Sequence, residues 1–468
     1  MPKIKSRELS RLGIQPGPLR TQALELARQA VGSGVTKAQV MERLRDLARE
    51  PERFLDDPLL GDLASKCLRI REARHSYRER AEPATFCQFG SDLDANSIQQ
   101  MENACRLPVS VRGALMPDAH VGYGLPIGGV LATRNAVIPY AVGVDIACRM
   151  KMTVLDLKPG EIERSSERLT RAIQRETRFG IGVSFKKRRH HDVMDRDWSV
   201  SPITRKNRDK AWAQLGTSGS GNHFVEFGIL EIGDSALGLE RGVYLALMSH
   251  SGSRGTGAAV AAHYSRLAQE LHPELPRDLL HLAWLDLDSE AGIEYWAAMQ
   301  LMGAYAAANH ACIHEHIARH LGAEVMLDIE NHHNFAWREV HDGEEVVVHR
   351  KGATPADKGV VGIIPGSMAT PAYVVVGKGD DRSLRSAAHG AGRVMSRTEA
   401  KRTLSWRQAR ELLEERGVKL LSAGLDEVPM VYKDIEKVMA AQADLVYKMA
   451  RFQPRVVKMA PAGERPED

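Results

Sequence analysis

The sequence has few cysteines and none of the cysteine patterns that hold small secreted domains or zinc ribbons together. Only five cysteines occur in 468 residues, an odd number at wide spacings, and no Cys-x-x-Cys pair is present. This usage argues against a disulfide framework and a zinc ribbon, and it favours a reducing, cytoplasmic environment.

Long hydrophobic runs are missing as well. The N-terminal stretch MPKIKSRELSRLG contains no apolar segment of the kind found in signal peptides, and no run of 18 apolar residues occurs anywhere. We therefore expect neither a signal peptide nor a membrane span. The net charge is only +4, which is compatible with nucleic-acid contact but does not demand it.

What the sequence does contain begins with a charged, helix-forming segment at the N-terminus. In GVTKAQVMERLRDLARE, Thr36 and Gln39 form a capping-box pattern, and apolar residues then recur on one helix face. We interpret residues 1–83 as a small helical N-terminal extension. With 43% hydrophobic residues in the whole chain, a sizeable core can form elsewhere.

From residue 84 onward, apolar β-rich runs alternate with glycine-rich loops. The pattern predicts strands within residues 243–257, 324–336, 345–352 and 372–379, and helices over residues 405–418 and 434–450. We expect a mixed α/β (α+β) fold, in which residues 84–468 form one large catalytic domain with mixed β-sheets flanked by helices.

The stretch AHGAGRVMSR places His389 directly before Gly390-Ala391-Gly392, with Arg397 shortly after. Glycines allow a backbone to approach a ligand closely, and arginine offers a planar fork suited to phosphate. The stretch is therefore typical of a histidine presented to a phosphorylated ligand. The alternative is a surface turn with a solvated histidine.

Four other glycine-flanked loops carry residue types that bind metals: GVDIAC, GSGNHFVEF, MSHSGSRG and IENHHNFAW. Together they offer one carboxylate, one thiolate and several imidazoles, which are common ligands of divalent transition metals. Three imidazoles with a thiolate and a carboxylate exceed the four ligands of one tetrahedral zinc, so a shared thiolate serving two metals is an attractive arrangement.

Three further features are less specific. In MPDAHVGYGLPIGG, we expect Asp118 to orient a metal-binding histidine. The histidines of NHACIHEHIARH, including His310 and His314, lack an HExxH pattern, and we expect a helix with partly exposed histidines that bind no metal. The basic run at residues 185–192 is either a solvated loop or a phosphate-backbone contact.

The ordered set MPDAHVGYGLPIGG, GVDIAC, GSGNHF, HSGSRG, HHN, HRKGAT, IIPGSM and HGAGR resembles the RtcB family of GTP-dependent RNA ligases, from about residue 88 to Lys458. The resemblance implies an enzyme with two Mn²⁺ ions and GTP. It would join RNA ends bearing a 3′-phosphate or 2′,3′-cyclic phosphate to 5′-hydroxyl ends, in RNA repair or tRNA splicing. An archease-like activating protein is a candidate partner.

The same resemblance assigns residues by position. His389 would be the nucleophile that becomes guanylylated. Cys148 would bridge two metals, one completed by His223 and His250 and the other by Asp145 and His333. The nucleotide would be bound by Asn222, Phe224, Glu226, Asn334, Pro365, Gly366, Ser367, Met368, Gly390, Ala391, Gly392 and Lys458. The RNA phosphate would face Arg254 and Arg397.

The sequence departs from the family pattern at a few places. Arg149 follows Cys148 where the family usually has glycine, Ala372 stands where many members carry serine, and His332 precedes His333 so that the ligand could be either. Two alternatives to a ligase are a metal-dependent phosphodiesterase or nuclease and an inactive RNA-binding homologue. The first would not need His389, PGSM or Lys458, and the second would be signalled by a lost ligand; all of these residues are present.

Overall fold

The computed structural model describes residues 4–5, 8–9, 12, 14, 18–76, 78–234 and 237–464. This part of the chain contains thirteen helices and seventeen strands, which confirms the predicted mixed α/β class. The helices are α1 (Pro18–Gly32), α2 (Lys37–Arg49), α3 (Gly61–Ser76), α4 (Ala95–Cys105), α5 (Pro139–Val142), α6 (Glu161–Arg164), α7 (Ser166–Glu176), α8 (Pro202–Gln214), α9 (Arg254–Leu271), α10 (Glu290–Leu321), α11 (Arg397–Thr403), α12 (Trp406–Glu415) and α13 (Ile435–Ala441). The strands are β1 (Phe86–Gln88), β2 (Ser110–His120), β3 (Ile127–Thr133), β4 (Ala136–Val137), β5 (Arg149–Leu155), β6 (Phe224–Ile232), β7 (Gly242–Ser251), β8 (Leu285–Asp286), β9 (Val325–His332), β10 (Asn334–His341), β11 (Glu344–Lys351), β12 (Ala353–Pro355), β13 (Val361–Ile364), β14 (Ala372–Gly377), β15 (Ser386–Ala388), β16 (Lys419–Ser422) and β17 (Val446–Met459).

Helices α1 to α3 pack around a hydrophobic cluster of their own. The predicted capping box is present, because the Thr36 hydroxyl accepts a hydrogen bond from the Gln39 N–H and the Gln39 side chain accepts one from the Thr36 N–H. Leu44 and Leu47 of α2 are buried in this cluster. The boundary of the extension at residue 83 stays a prediction.

The large sheet has the strand order β13-β14-β17-β6-β7-β5-β9, with β16 parallel to β17. Its two outer strands approach each other, so the sheet nearly closes into a barrel. The Asn331 side chain on β9 joins them: its amide donates to Ile363 O of β13 at 3.3 Å and accepts from Ile363 N at 2.9 Å. A second sheet has the order β1-β2-β3-β11-β10, and β12-β15 and β4-β8 form two-stranded pairs.

One of the predicted elements is wrong in type and extent. Residues 434–450 do not form one helix, because the helix ends at Ala441 and the long strand β17 begins at Val446. From Ala450 the buried residues recur at every second position, which is the period of a strand. A strand does lie within residues 324–336, as predicted: β9 ends at His332, and β10 follows from Asn334.

The sheet register brings the candidate site residues to one end of the large sheet. Strand β5 pairs antiparallel with both neighbours, so that Arg149 lies opposite Ser251 of β7 on one side and His332 of β9 on the other. Cys148 and the ends of β7 and β9 are therefore adjacent. The long helix α10 packs against β5 and β7. None of the described helices is long and apolar enough to cross a bilayer.

Candidate active site

A cavity of about 950 Å³ opens at this end of the large sheet. Most residues that the sequence predicts for the site lie in its wall. These are Asp145, Cys148, Asn222, His223, Phe224, Glu226, His250, His333, Asn334, Pro365, Gly366, Ser367, Met368, His389, Gly390, Ala391, Gly392 and Arg397. Two predicted residues, Arg254 and Lys458, are not among the residues that line it.

The five candidate metal ligands divide into two groups that share Cys148. Ligand atoms of Asp145, Cys148 and His223 lie within 4.8 Å of one another, and so do those of Cys148, His250 and His333. Cys148 belongs to both groups, where a bridging thiolate is predicted. The grouping differs from the predicted division, because His223 lies with Asp145 and His250 lies with His333, and the ligand roles stay predictions. The reason is geometric: Asp145 Oδ2 is 2.9 Å from His223 Nε2.

Backbone carbonyls fix the tautomers of two of these histidines. His223 Nδ1 donates to Ser218 O at 2.7 Å, and His250 Nδ1 donates to Asn222 O at 3.1 Å. A carbonyl can only accept, so each ring carries a proton on Nδ1 and directs its Nε2 atom to the cavity.

The Nε2 atoms converge on the side chains of the other candidate ligands. His250 Nε2 lies 3.1 Å from both Cys148 Sγ and His333 Nε2, while His223 Nε2 faces the Asp145 carboxylate. Burial lowers the pKa of His250 to about 3, so its ring is neutral. Such a buried donor set is unfavourable by itself and is suited to divalent cations.

His389 stands next to this cluster, with its ring centroid 4.9 Å from that of His333. Its Nδ1 is 2.6 Å from Oδ2 of Asp118, which also accepts from the His389 backbone N–H at 3.2 Å. The prediction that Asp118 orients a metal-binding histidine is therefore wrong: the carboxylate contacts the candidate nucleophile instead. By accepting the Nδ1 proton, it leaves the lone pair of His389 on Nε2.

The glycines after His389 allow two segments to approach each other. Gly392 has φ +73°, and a Cβ there would collide with Asp118 O. From the other side, Lys433 Nζ donates to Pro117 O at 3.1 Å and to Ala119 O at 2.9 Å. The segment around Asp118 is thus held against His389 by close backbone packing and by a lysine.

The sequence reasoning gave no role to Lys433 or to Lys351, which both line the cavity. Lys351 donates to Tyr123 O at 2.6 Å, and burial lowers its pKa to about 7. The HRKGAT motif contained this lysine, so a signal was present in that case. Lys433 stands in no motif and was recognisable only once the fold had brought it beside Asp118.

The predicted nucleotide-binding residues form another wall of the cavity. Ser367 N–H donates to Thr370 Oγ1 at 2.7 Å and closes the PGSM turn, and the Thr370 hydroxyl faces the same cavity as Ala372. Burial raises the pKa of the Glu226 carboxyl well above its ordinary value. Asn334 accepts from Gly352 N–H at 2.8 Å.

The two predicted residues outside the cavity wall lie close to its supporting loops. Arg254 is buried, and its Nε donates to Thr217 Oγ1 at 3.1 Å. The Lys458 ammonium lies 5.3 Å from the centre of the Phe179 ring, and burial lowers its pKa to about 8. Their assigned contacts with RNA and nucleotide stay predictions.

Other arginines are held by partners within the protein. Arg397 forms ion pairs with Asp426, at 3.2 Å, and with Glu427. Arg149, which replaces the usual glycine, bonds to Glu330 at 3.0 Å and to Gly303 O at 2.9 Å, so its guanidinium is directed to α10 rather than to the thiolate.

Two arginines of the basic run at residues 185–192 are held by partners within the protein. Arg188 pairs with Asp209 at 2.7 Å, and Arg189 is buried and donates to Glu176 O at 2.6 Å. The prediction for NHACIHEHIARH is correct in its helix but wrong for two of its histidines, since His310 and His314 are fully buried.

Comparison with known proteins identifies relatives over most of the chain. The family profile described as tRNA-splicing ligase RtcB matches residues 100–202 and 195–459. The chain is 34% identical over 402 residues to the RNA-splicing ligase RtcB of Escherichia coli strain K12, covering 78% of this chain and 94% of the relative. It is 32% identical over 438 residues to the tRNA-splicing ligase RtcB of Nanoarchaeum equitans, covering 77% and 91%.

Proposed function

Because this chain belongs to the RtcB family, we propose that it is an RNA ligase that joins 3′-phosphate or 2′,3′-cyclic phosphate ends to 5′-hydroxyl ends through guanylylated His389. One observation carries the proposal. His389, bonded to the buried carboxylate of Asp118 at 2.6 Å, lies beside the histidine and cysteine cluster in one cavity.

In the first step, His389 acts as the nucleophile toward GTP. Its Nε2 lone pair forms a bond to the α-phosphorus, and the bond from that phosphorus to the pyrophosphate oxygen breaks. Asp118 accepts the Nδ1 proton throughout, so it stabilises the positive charge that the ring gains during attack. The guanine would be bound by the wall that contains Glu226 and Ser367.

In the following steps, the guanylate passes from His389 to the RNA 3′-phosphate, and a 2′,3′-cyclic phosphate is first hydrolysed to that form. A 5′-hydroxyl then attacks the activated phosphorus, and GMP leaves. Arg397 stands at the cavity, where a guanidinium suits a phosphate dianion. The acidic partners of Arg397, Asp426 and Glu427, hold it in place in the free protein.

The residues present fit two divalent metal ions, held by Asp145, Cys148 and His223 and by Cys148, His250 and His333. Bound there, the ions supply neutralisation of phosphate charge. Thiolate and imidazole by themselves favour zinc or iron, so the assignment to Mn²⁺ rests on the family resemblance. The roles in RNA repair or tRNA splicing, and an archease-like activating partner, rest on the same ground.

The polarity of the RNA ends provides the test. RNA carrying ³²P in its 3′-terminal phosphate is incubated with the protein, GTP, Mn²⁺ and a 5′-hydroxyl RNA. We expect the label to become nuclease-protected within the product while GTP is consumed. Joining of 5′-phosphate to 3′-hydroxyl ends, or release of the label as free phosphate during joining, would contradict the mechanism.

A further inference from the structure

The segment formed by residues 216–218 is buried between helix α10 and the candidate metal ligands. Asn309 of α10, which is fully buried, bonds to this segment with both ends of its amide. Its Oδ1 accepts from Gly216 N–H at 2.7 Å, and its Nδ2 donates to Thr217 O at 2.9 Å and to Ser251 Oγ at 3.3 Å. One side chain therefore connects the segment to the end of β7.

The next carbonyl along the segment sets the state of a metal ligand. Ser218 O accepts from His223 Nδ1 at 2.7 Å and from Ser251 Oγ at 2.7 Å. The position of this carbonyl determines the tautomer of His223 and the direction of its Nε2 atom. Any shift of residues 216–218 would move that atom relative to Asp145 and Cys148.

Asparagine suits this position because its amide has one acceptor and two donor hydrogens in a fixed plane. The three groups that it satisfies belong to two separate parts of the chain, which α10 brings together. In contrast, His250 donates its Nδ1 proton to Asn222 O, which Asn309 does not contact. The two candidate metal sites therefore depend on Asn309 to different degrees.

We infer that Asn309 is a positioning residue that holds the 216–218 segment so that His223 can bind a divalent cation together with Asp145 and Cys148. The inference rests on the proposed two-metal function. It assigns a role to the histidine-rich segment NHACIHEHIARH, in which the asparagine would support the candidate metal site. The site of Cys148, His250 and His333 should be much less sensitive to this residue.

The test replaces Asn309 by leucine, which has a similar volume but no polar atoms, and measures Mn²⁺ binding by the electron paramagnetic resonance signal of free Mn²⁺. Loss of contacts behind a metal ligand typically weakens metal affinity by about 10- to 100-fold. We expect Asn309→Leu to weaken one of the two ions by this factor and to leave the affinity of the other within about threefold. Asn309→Asp keeps the size and the acceptor, loses the donors, and carries the same expectation should the leucine variant fail to fold.

Tyr305→Phe is the matched control. Tyr305 lies one turn earlier on α10, is fully buried, and its hydroxyl donates to Ala211 O at 2.7 Å, away from residues 216–218. This change also removes one buried hydrogen bond from α10, so it should lower stability while both ions bind as in the wild type. Equal metal loss in the Tyr305 and Asn309 variants would overturn the inference, as would unchanged binding of both ions by folded Asn309 variants.

A double-mutant comparison identifies the ion that is lost. Asn309→Leu should add little to the metal-binding defect of His223→Ala, whereas its effect should add to that of His250→Ala. The reverse pattern would show that Asn309 acts on the other site and would refute the inference. Mn²⁺ binding by the wild-type protein tests the two-metal proposal separately. If the wild-type protein binds no second ion, that proposal fails regardless of the results with the variants.

Discussion

The two faces of the large sheet at β5 and β7 both carry buried histidines, but they use the ring nitrogens in opposite ways. On the cavity side, His223 and His250 bond to backbone carbonyls through Nδ1 and direct Nε2 at the side chains of other candidate metal ligands. Under α10, His310 bonds to Ser249 Oγ at 2.7 Å and to Ser251 O at 3.0 Å, so both of its nitrogens have protein partners.

Burial does not distinguish the two faces. It lowers the pKa of His250 to about 3, and it also holds the pKa of His310 and His314 well below the ordinary value. What differs is the kind of partner: the Nε2 atoms in the cavity face a thiol, a carboxylate and another imidazole, whereas His310 and His314 bond to hydroxyl and carbonyl oxygens. A candidate metal site is therefore recognised by the atoms that its histidines face and not by how many histidines are buried.

The largest effect is expected from substitution of His389, the proposed nucleophile in the cavity. His389→Ala should abolish transfer of labelled guanylate from GTP to the denatured protein, because the attacking nitrogen is gone, while metal content stays unchanged. In the parent protein the label should be acid-labile and alkali-stable, as a phosphoramidate is. Labelling of the alanine variant at the parental level would remove His389 from its proposed role.

Substitution of Cys148, which belongs to both groups of candidate metal ligands, should have the second largest effect. Cys148→Ala should weaken both ions, because Cys148 belongs to both ligand groups, whereas His250→Ala should weaken mainly one. Metal content per chain under limiting Mn²⁺ measures this. A single tightly bound ion at saturating Mn²⁺, together with full ligation activity, would count against two sites and against the contrast between the faces.

Substitution of Asp118, whose carboxylate bonds to His389, should have the third largest effect. Asp118→Asn presents an amide donor to His389 and favours the tautomer that protonates Nε2, a change that lowers turnover by about 10⁴-fold in serine-protease triads. We expect the rate of guanylylation in a single turnover to fall by about 10²- to 10⁴-fold, with both ions still bound. Equal rates for the asparagine variant and the parent would show that the tautomer is not controlled here.

The sequence predicted the residues that line the cavity more completely than it predicted the surroundings of the histidines of α10. Motif order predicted His389 as the nucleophile and five residues as metal ligands, and the structure places these six residues around one cavity. The pairing of His223 with Asp145 was out of reach, because it depends on the sheet register and on the Ser218 carbonyl. Local patterns do not encode contacts between residues so far apart in the chain.

The same limit explains the remaining errors. Asp118 and His389 are 271 residues apart, so their contact followed only from the fold. The burial of His310 and His314 depended on serine and threonine partners on β5 and β7, which no helical pattern reveals. The strand β17 was misassigned because a short helix precedes it directly, and the change of period from helix to strand falls within a few residues.

On the side of the large sheet that α10 covers, a substitution is expected to affect stability alone. His314→Leu removes two buried 2.7 Å hydrogen bonds, to Ser249 Oγ and Thr153 Oγ1, while these hydroxyls keep His310 and Asp328 as partners; the loss should cost about 1–3 kcal/mol of unfolding free energy. Chemical denaturation measures this cost, and Mn²⁺ binding should match that of the parent. A selective loss of one Mn²⁺ ion in this variant would show that His314, on the side of the sheet away from the cavity, also supports metal binding.

The smallest effect is the pH dependence of that stability difference. Burial, with a further contribution from Lys151, holds the pKa of His314 in the folded protein well below its ordinary value near 6.5. In the unfolded chain this histidine takes up a proton as the pH falls through that value. The contribution of the neutral ring is therefore complete above pH 6.5 and declines below it, with a limiting slope of about 1.4 kcal/mol per pH unit.

The comparison of the parent with His314→Leu isolates this term. In the presence of a chelator, the cavity histidines titrate alike in both proteins and cancel in the difference. The unfolding free energies, measured by denaturation from pH 7.5 to 5.5, should differ most at the upper end and converge toward the lower end. Parallel curves would mean that His314 binds its proton in the folded protein as well, with the nearby Asp328 carboxylate as counter-charge. In that case the side of the sheet that α10 covers would hold a charged His314 rather than a neutral, hydrogen-bonded histidine.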